Sequence, residues 1–244
     1  PGEARGVVVL DGRPERLIIE RDDDQDRPRV GEIWRGRIGA SASGFRGSFI
    51  DLGAGPAGLL AAEAGARPPE GAIIEVEVMA EARADKGPVV RRRGPGEGAP
   101  GRQVRAESLE SWLQTRLPGA EIICGREARE AADLAQDEAL ATVHALGGGL
   151  NLSVEPTRGM TAIDVDFSRA DAGSRATLEA NLRAIREAAR LLRLKGQGGL
   201  IVIDLIGQAP QHREILDAAK AAFEEDQPGI VLAGVSRLGV MQLA

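Results

Sequence analysis

The stretch from Thr161 to Asp204 constrains the fold more than any other part of the 244-residue chain. Residues 161–167, Thr-Ala-Ile-Asp-Val-Asp-Phe, alternate as a half-buried strand does, with Asp164 and Asp166 on one face and Ile163, Val165 and Phe167 on the other. From about Ser174, the apolar positions Leu178, Leu182, Ile185, Ala189 and Leu192 fall at steps of three and four, which predicts an amphipathic helix closed by Gly196 as its C-cap. The run 200–203, Leu-Ile-Val-Ile, then predicts a strand covered on both faces and ends in Asp204. A strand-helix-strand crossover of this length is right-handed and makes its two strands parallel. As neighbours they lie about 4.8 Å apart. A strand at 150–154, a helix at 212–225 and a last strand at 230–235 extend the pattern into an α/β unit.

Aspartate is disfavoured in strands, so two in one strand and a third closing the next invite a reason. If the strands are neighbours, Asp164 and Asp204 meet near the carboxyl edge of the sheet, where open α/β sheets place their ligands. Carboxylates so placed repel unless a hard cation stands between them, and Mg²⁺ accepts one or two carboxylates while keeping several waters. Such a site suits phosphodiester hydrolysis, because the ion orients a water and stabilises charge on phosphorus. The same pattern also suits two strand-end acids that cap the strands or pair with Arg158, Arg169 or Arg237.

The N-terminal half has a different grammar. Two apolar runs flank Asp11-Gly12, a hairpin signature, and short strand-like pieces follow at 33–38, 47–52, 58–61 and 73–79 with glycine turns between them. Several short strands so spaced predict a small barrel. Residues 94–101, Gly-Pro-Gly-Glu-Gly-Ala-Pro-Gly, predict a flexible linker. Their Gly96-x-Gly98-x-x-Gly101 spacing is not a dinucleotide fingerprint, since arginines precede it and Pro100 interrupts it. Helical patterns are expected at 106–117 and 126–146.

With 43% hydrophobic and 28% charged residues the chain is expected to fold rather than stay disordered. Its net charge of -6 excludes an argument for nucleic acid from bulk charge, so any such argument must be local. Arg83, Lys86, Arg91, Arg92, Arg93, Arg102 and Arg105 form the one basic cluster, readable as a backbone-contacting patch or as a solvated linker. A single cysteine, Cys124, excludes an internal disulfide, and its neighbours Ile122 and Ile123 suggest a buried thiol. No apolar run is long enough for a membrane span and no signal segment is evident, so the chain reads as cytoplasmic with no membrane partner.

Read together, Thr161-Ala-Ile-Asp-Val-Asp, Asn181-Leu, Leu192-Arg-Leu-Lys-Gly-Gln-Gly-Gly-Leu-Ile-Val-Ile-Asp204 and Ser236-Arg-Leu-Gly239 resemble the catalytic region of the ribonuclease E/G family in order and spacing. Upstream, Val30-Gly-Glu-Ile-Trp-Arg-Gly-Arg-Ile38 and Phe49-Ile-Asp-Leu-Gly-Ala-Gly-Pro-Ala-Gly-Leu-Leu60 look like an S1 domain, an OB-fold barrel. The resemblance implies α/β plus β-barrel architecture: an RNase H-like domain at 1–29 and 105–146, interrupted by an S1 barrel at 30–93 with a linker at 94–104, then a DNase I-like catalytic subdomain at 147–244. It further implies that Asp164 and Asp204 bind a catalytic Mg²⁺, with Asp166 as a supporting acid where the family usually has an asparagine. Phe49 falls where the family stacks a base and Lys86 where it has a lysine near the substrate; Arg35, Arg37 and Arg237 are further expected RNA contacts.

Three departures accompany the resemblance. Leu59 stands at the family's second stacking aromatic, with Trp34 or Phe45 as the available compensation. Gly207 replaces an acid that often follows the second aspartate. The linker stands where the family commonly senses a 5'-monophosphate, and no cysteine pair for a zinc link follows the catalytic region, so a homodimer through the catalytic unit is what the resemblance suggests. The reading is an endoribonuclease that hydrolyses single-stranded RNA with Mg²⁺, leaving a 5'-phosphate and a 3'-hydroxyl. Its rivals are an RNA-binding protein that keeps the fold without competent cleavage, and an enzyme acting on DNA or a phosphorylated small molecule.

Overall fold

A computed structural model describes residues 2–21, 27–42, 47–61, 68–82, 86–168, 173–207, 212–226 and 230–244. The chain divides into two compact units, residues 1–4 with 20–121 and residues 5–19 with 122–244. The hairpin of β1 (Glu3–Leu10) and β2 (Arg13–Arg21) runs across that boundary as a two-stranded sheet.

The first unit holds the barrel. Strands β3 (Ile33–Ala42), β4 (Gly47–Asp51), β5 (Gly58–Ala61), β6 (Ile73–Ala80) and β7 (Val89–Pro95) are hydrogen-bonded in the order β4-β5-β7-β6-β3, and β3 pairs back onto β4 to close the ring. All neighbours are antiparallel except β5 and β7. A closed five-stranded barrel of this kind is compatible with the expected S1 (OB-fold) barrel. Ile38, Ile50, Leu52, Leu60, Ile74, Val76, Val78 and Val90 fill it. Trp34 belongs to this core at 3% exposure and donates its indole N–H to the buried Glu32 carboxylate, while the Arg102 guanidinium lies 5.5 Å above its ring.

The expected linker at 94–104 is corrected by β8. Residues 94 and 95 finish β7, and β8 (Gly101–Val104) pairs with β3 along the edge that β4 leaves free. Glycine and proline mark the turn between these strands, and the backbone beyond the turn finds its partner in β3, 66 positions away at the Arg35–Gly101 pair. Beyond the barrel, Ser108 caps α1 (Leu109–Arg116) by accepting the Ser111 N–H. Cys124 is exposed, as are Ile122 and Ile123. Three apolar residues in a row without a strand partner have no surface to be buried against, so the buried-thiol expectation fails.

The second unit is an α/β layer. Its sheet has the order β13-β14-β12-β11-β10-β9, comprising β9 (Val143–Gly147), β10 (Leu150–Pro156), β11 (Thr161–Phe167), β12 (Ile201–Asp204), β13 (Leu232–Val235) and β14 (Val240–Leu243). The crossover helix α3 (Ser174–Leu194) and α4 (His212–Ala222) share one core with Leu152, Ile163, Val165, Ile203 and Met241. Helix α3 ends in two bonds that satisfy its last carbonyls, Gly196 N–H to Arg193 and Gln197 N–H to Leu192. Helix α2 (Arg126–Leu140) stops short of the expected 146, because the chain turns extended at Ala141 and continues as edge strand β9. The Lys195 ammonium donates to the Ala139 and Ala141 carbonyls at that helix end.

Two sequence expectations about this sheet change. Strand β12 is covered on one face only, with Val202 half-buried and Leu200 47% exposed, since α3 and α4 both pack on the side of Ile201 and Ile203. The last expected strand does not neighbour β12 either. Strand β14 lies between β12 and β13 and is antiparallel to both. Among the described residues, no helix is long and apolar enough to cross a membrane.

Candidate functional site

Strands β11 and β12 are parallel neighbours with Thr161 opposite Ile201, Ile163 opposite Ile203 and Asp164 opposite Asp204. The crossover through α3 thus delivers the two carboxylates to the same register, a strand spacing of about 4.8 Å apart. Alternation along β11 buries Thr161, Ile163 and Val165 under the helices and leaves Asp164 and Asp166 exposed on the open face, with Asp204 beside them. Because β12 ends at Asp204, Asp166 projects one pleat beyond the end of its neighbour.

Neither Asp164 nor Asp204 has a hydrogen-bond or ion-pair partner among the described residues. That argues against strand-end caps and arginine pairs. Arg158 sits in the turn before β11, at the end away from Asp164, while Arg169 lies outside the described residues. Two carboxylates on one wet face repel by roughly 1 kcal/mol in water, and by about 4 kcal/mol where the effective dielectric falls to that of a protein surface. The arrangement is therefore poised for a cation. The donor set is two carboxylate ligands with open water on one side, which fits Mg²⁺ and not a structural zinc site. Among the described residues no group of three His, Cys, Asp or Glu is placed to hold a metal.

The surroundings of Asp204 are fixed from two directions. On α3, Asn181 is 2% exposed and clamps the backbone of Ile206, donating through Nδ2 to its carbonyl at 3.1 Å and accepting its N–H through Oδ1 at 2.9 Å. The turn at 236–239, which carries the exposed Arg237, is held by the Ser236 hydroxyl accepting the Leu238 and Val240 N–H groups. Its Gly239 carbonyl accepts the Leu205 N–H at 3.2 Å, bringing Arg237's turn against the residues that follow Asp204. Gly207 takes φ +73 there, a conformation that an acidic side chain would strain, and this accounts for the glycine in that position.

Asn181 had no role in the sequence beyond its place in the resemblance. Its signal was a polar residue on the apolar stripe of α3, three positions after Leu178. Replacing Asn181 by Ala leaves both Ile206 backbone groups without partners and is expected to cost about 2 kcal/mol of unfolding free energy. Urea unfolding reads this directly, and an unchanged midpoint would remove the clamp from the account. Ser153 on β10, opposite Asp164, is a second residue of this face that the pattern alone did not single out.

The barrel carries its own row. Phe49 on β4 is 44% exposed, pairs with Leu59 on β5, and Leu59 pairs with the exposed Val89 on β7, so three apolar side chains line up on the outer surface. Phe49 is therefore not a barrel-core residue. Lys86 is exposed beside it: Gly87 presses so close to the start of β5 that a Cβ there would lie 1.8 Å from the Ala57 carbonyl oxygen. Arg37 is exposed opposite Asp51, two residues along from Phe49 on the same face.

The remaining predicted contacts are spent within the barrel. Arg35 donates to the Glu97 carbonyl at 2.7 Å and to Gln103, so its guanidinium ties the 97–103 turn rather than standing free. Arg91 and Arg93 pair with Glu77, and Arg102 pairs with Glu32. Arg83 and Phe45 lie outside the described residues.

The profile of the Ribonuclease E/G family matches residues 130–244, the stretch that contains Asp164, Asp166, Asn181, Asp204 and Arg237. Ribonuclease E of Haemophilus influenzae is 34% identical over 104 residues, 41% of this chain and 11% of that protein. The chloroplastic ribonuclease E/G-like protein of Arabidopsis thaliana is 34% identical over 105 residues, 40% of this chain and 10% of its own length. Ribonuclease E of Synechocystis is 31% identical over 149 residues, 56% of this chain and 22% of that protein. The match thus spans about a tenth to a fifth of these relatives. Through residues 130–244, which hold the paired aspartates, this chain belongs to the ribonuclease E/G family.

Proposed function

We propose that the chain is a Mg²⁺-dependent endoribonuclease acting on single-stranded RNA. The observation that carries this reading is the register pair Asp164–Asp204: two exposed, unpartnered carboxylates on adjacent parallel strands of a family whose named relatives are ribonucleases. Asp164 and Asp204 would hold the ion, with Asp166 as a supporting acid. The ion supplies charge neutralisation at phosphorus and a water of lowered pKa. Arg237, on its pinned turn, is the nearest candidate to bind the phosphate under attack. In the reaction a water oxygen joins phosphorus and the bond to the 3' oxygen breaks, leaving a 5'-phosphate and a 3'-hydroxyl.

Phe49 offers a face for base stacking, with Lys86 and Arg37 beside it for the backbone. On the same reading the six-stranded layer is the DNase I-like catalytic subdomain. Residues 1–29 with 105–146 are what this chain has of the RNase H-like domain, a hairpin, two helices and part of β9. A homodimer through the catalytic layer belongs to this reading too, and sedimentation velocity reports it.

Incubating the protein with a fluorescent single-stranded RNA, with and without Mg²⁺, tests the proposal. Internal cleavage that requires the ion supports it; binding without cleavage at any Mg²⁺ concentration overturns it in favour of an RNA-binding protein. Leu59, the aliphatic partner of Phe49, favours that second reading because it halves the aromatic platform. Replacing Phe49 by Ala removes stacking worth about 1–3 kcal/mol per base, so RNA affinity should fall roughly tenfold or more while the melting temperature moves little. Equal affinity in a filter-binding titration would take Phe49 out of the interface.

A further inference from the structure

A second charged feature lies away from the aspartates, on the flank of α3. A cavity of about 540 Å³ opens between α3, the tip of the β1–β2 hairpin and edge strand β9. That volume suits a ligand-sized occupant. Its wall carries five arginines against two glutamates, a local excess of three positive charges in a chain whose net charge is -6.

Four of the arginines, at 183, 186, 190 and 193, form one stripe along α3 about 15 Å long. The inner pair is structural. Arg190 is bound to Glu187 and Glu138, and Arg193 to Asp226 and Glu15, which fixes the floor of the cavity. The outer pair is not consumed in this way. Arg186 is exposed and has no partner among the described residues, and Arg183 donates only to the Leu146 carbonyl. On the opposite wall, Arg13 is held in a two-pronged pair by Glu187 with bonds of 2.7 and 3.0 Å, yet its side chain stays 55% exposed.

Donors in this wall outnumber acceptors: the Arg193 Nε is buried with no partner at all. A smaller recess of about 260 Å³, bounded by Gly147, Gly148 and Phe167, adjoins the first through Arg183. Fixed guanidinium forks facing a common cavity are the geometry that recognises phosphate, since each offers parallel N–H donors at low ordering cost. The helix side of the sheet holds this cavity, and the open side holds Asp164 and Asp204.

We propose that the α3 cavity is a phosphate-binding site, separate from the carboxylate pair, in which Arg13, Arg183 and Arg186 grip the phosphates of a single RNA strand. RNA as the occupant rests on the reading of the chain as an RNA-acting protein; the phosphate chemistry does not. The extended stripe and the adjoining recess favour a run of phosphates over an isolated ion.

The test uses the full chain in chelator, so that no cleavage is required. A fluorescent single-stranded RNA is titrated against wild type, Arg183→Ala/Arg186→Ala and Arg183→Lys/Arg186→Lys across a salt series, with inorganic pyrophosphate as competitor. The alanine variant should bind RNA at least about tenfold more weakly, with the salt slope reduced by about 1 to 2, and pyrophosphate should displace RNA from wild type. The lysine variant should recover most of the salt slope. Both substituted residues are exposed, and matching melting curves confirm an intact fold. Unchanged RNA affinity and salt slope in the alanine variant would overturn the proposal. If pyrophosphate binding to wild type is lost in that variant while RNA affinity stays, RNA is overturned as the occupant. Failure of the nuclease reading would appear elsewhere, as absent cleavage with Mg²⁺, and leaves this binding test untouched.

Discussion

Replacing Asp204 by Asn is expected to cut cleavage of single-stranded RNA by about a thousandfold while leaving the fold intact. Metal-derived charge stabilisation is worth several kcal/mol in the transition state, and each 1.36 kcal/mol is a factor of ten in rate. Asparagine keeps the shape of the side chain and removes the charge that would hold the ion. The backbone pairing of β12 with β11 and β14 does not involve the carboxylate, which is exposed and unpartnered. Asp164→Asn should do the same, and the double variant should be little worse than either, because ligands of one ion act as a unit.

Stability gives an independent reading of the same pair. Like charges directly opposite one another on neighbouring strands are destabilising, so without metal the Asn variant should be as stable as wild type or slightly more so. With Mg²⁺ the order should reverse, since a ligand that binds only the folded state adds to its stability. Single-turnover cleavage and thermal melts in chelator and in Mg²⁺ check both statements. Wild-type rates in the Asn variant would remove Asp204 from the chemistry.

Replacing Arg190 by Leu is expected to destabilise the α/β unit by about 3–5 kcal/mol, out of roughly 5–15 kcal/mol available to a domain of this kind. The Arg190 side chain is 5% exposed and joins three elements, bonding Glu187 on its own helix, Glu138 on α2 and the Pro14 carbonyl of the hairpin. Its removal leaves Glu187, itself buried at 8%, with Arg13 alone. An uncompensated buried charge is what makes such a truncation severe. Urea unfolding is the measurement, and a loss below about 1 kcal/mol would show that the network is dispensable.

The same network sets an acid limit. Burial by itself would raise the Glu187 pKa, but hydrogen bonds from Arg190 and Arg13 outweigh it and hold the carboxyl below its usual value. A carboxyl whose folded pKa is depressed contributes stability above its unfolded pKa, about 4.3, and loses that contribution as pH falls through the lower folded value. His144 adds to the trend at higher pH. Burial, with help from the nearby Lys195 ammonium, lowers its pKa, so folding disfavours its charged form and stability declines as pH drops below about 6.5. Melting temperature should therefore fall on acidification from neutrality, and Glu187→Gln should flatten the part below pH 4.3. An unchanged acid limb in that variant would break the link.

The contrast between the two halves of the chain shows what local pattern can carry. Alternation along 161–167 is a property of consecutive residues, and it sorted Asp164 and Asp166 from Ile163 and Val165 as the sheet does. The three-and-four spacing from Leu178 to Leu192 likewise marked the buried face of α3, and the hairpin at Asp11-Gly12 was written in its turn residues. Strands β7, β8, β9 and β14 were missed for a shared reason. Arg91, Arg92 and Arg93 show no alternation, Gly101 to Val104 follow a run of turn residues, and Val240 to Leu243 are too short a stretch to stand out. Each is a strand only because a distant partner presents an unpaired edge to it.

The sequence by itself determined the strands and helix that bracket the two aspartates, and which face of β11 each acid occupies, because side-chain periodicity is local. Only the tertiary structure decided that Asp164 and Asp204 share a register, that β14 comes between β12 and β13, that Asn181 holds Ile206, and which arginines are consumed in ion pairs and which face open space. Those outcomes depend on hydrogen bonds and contacts between residues tens to hundreds of positions apart, whose partners no window of neighbouring residues contains.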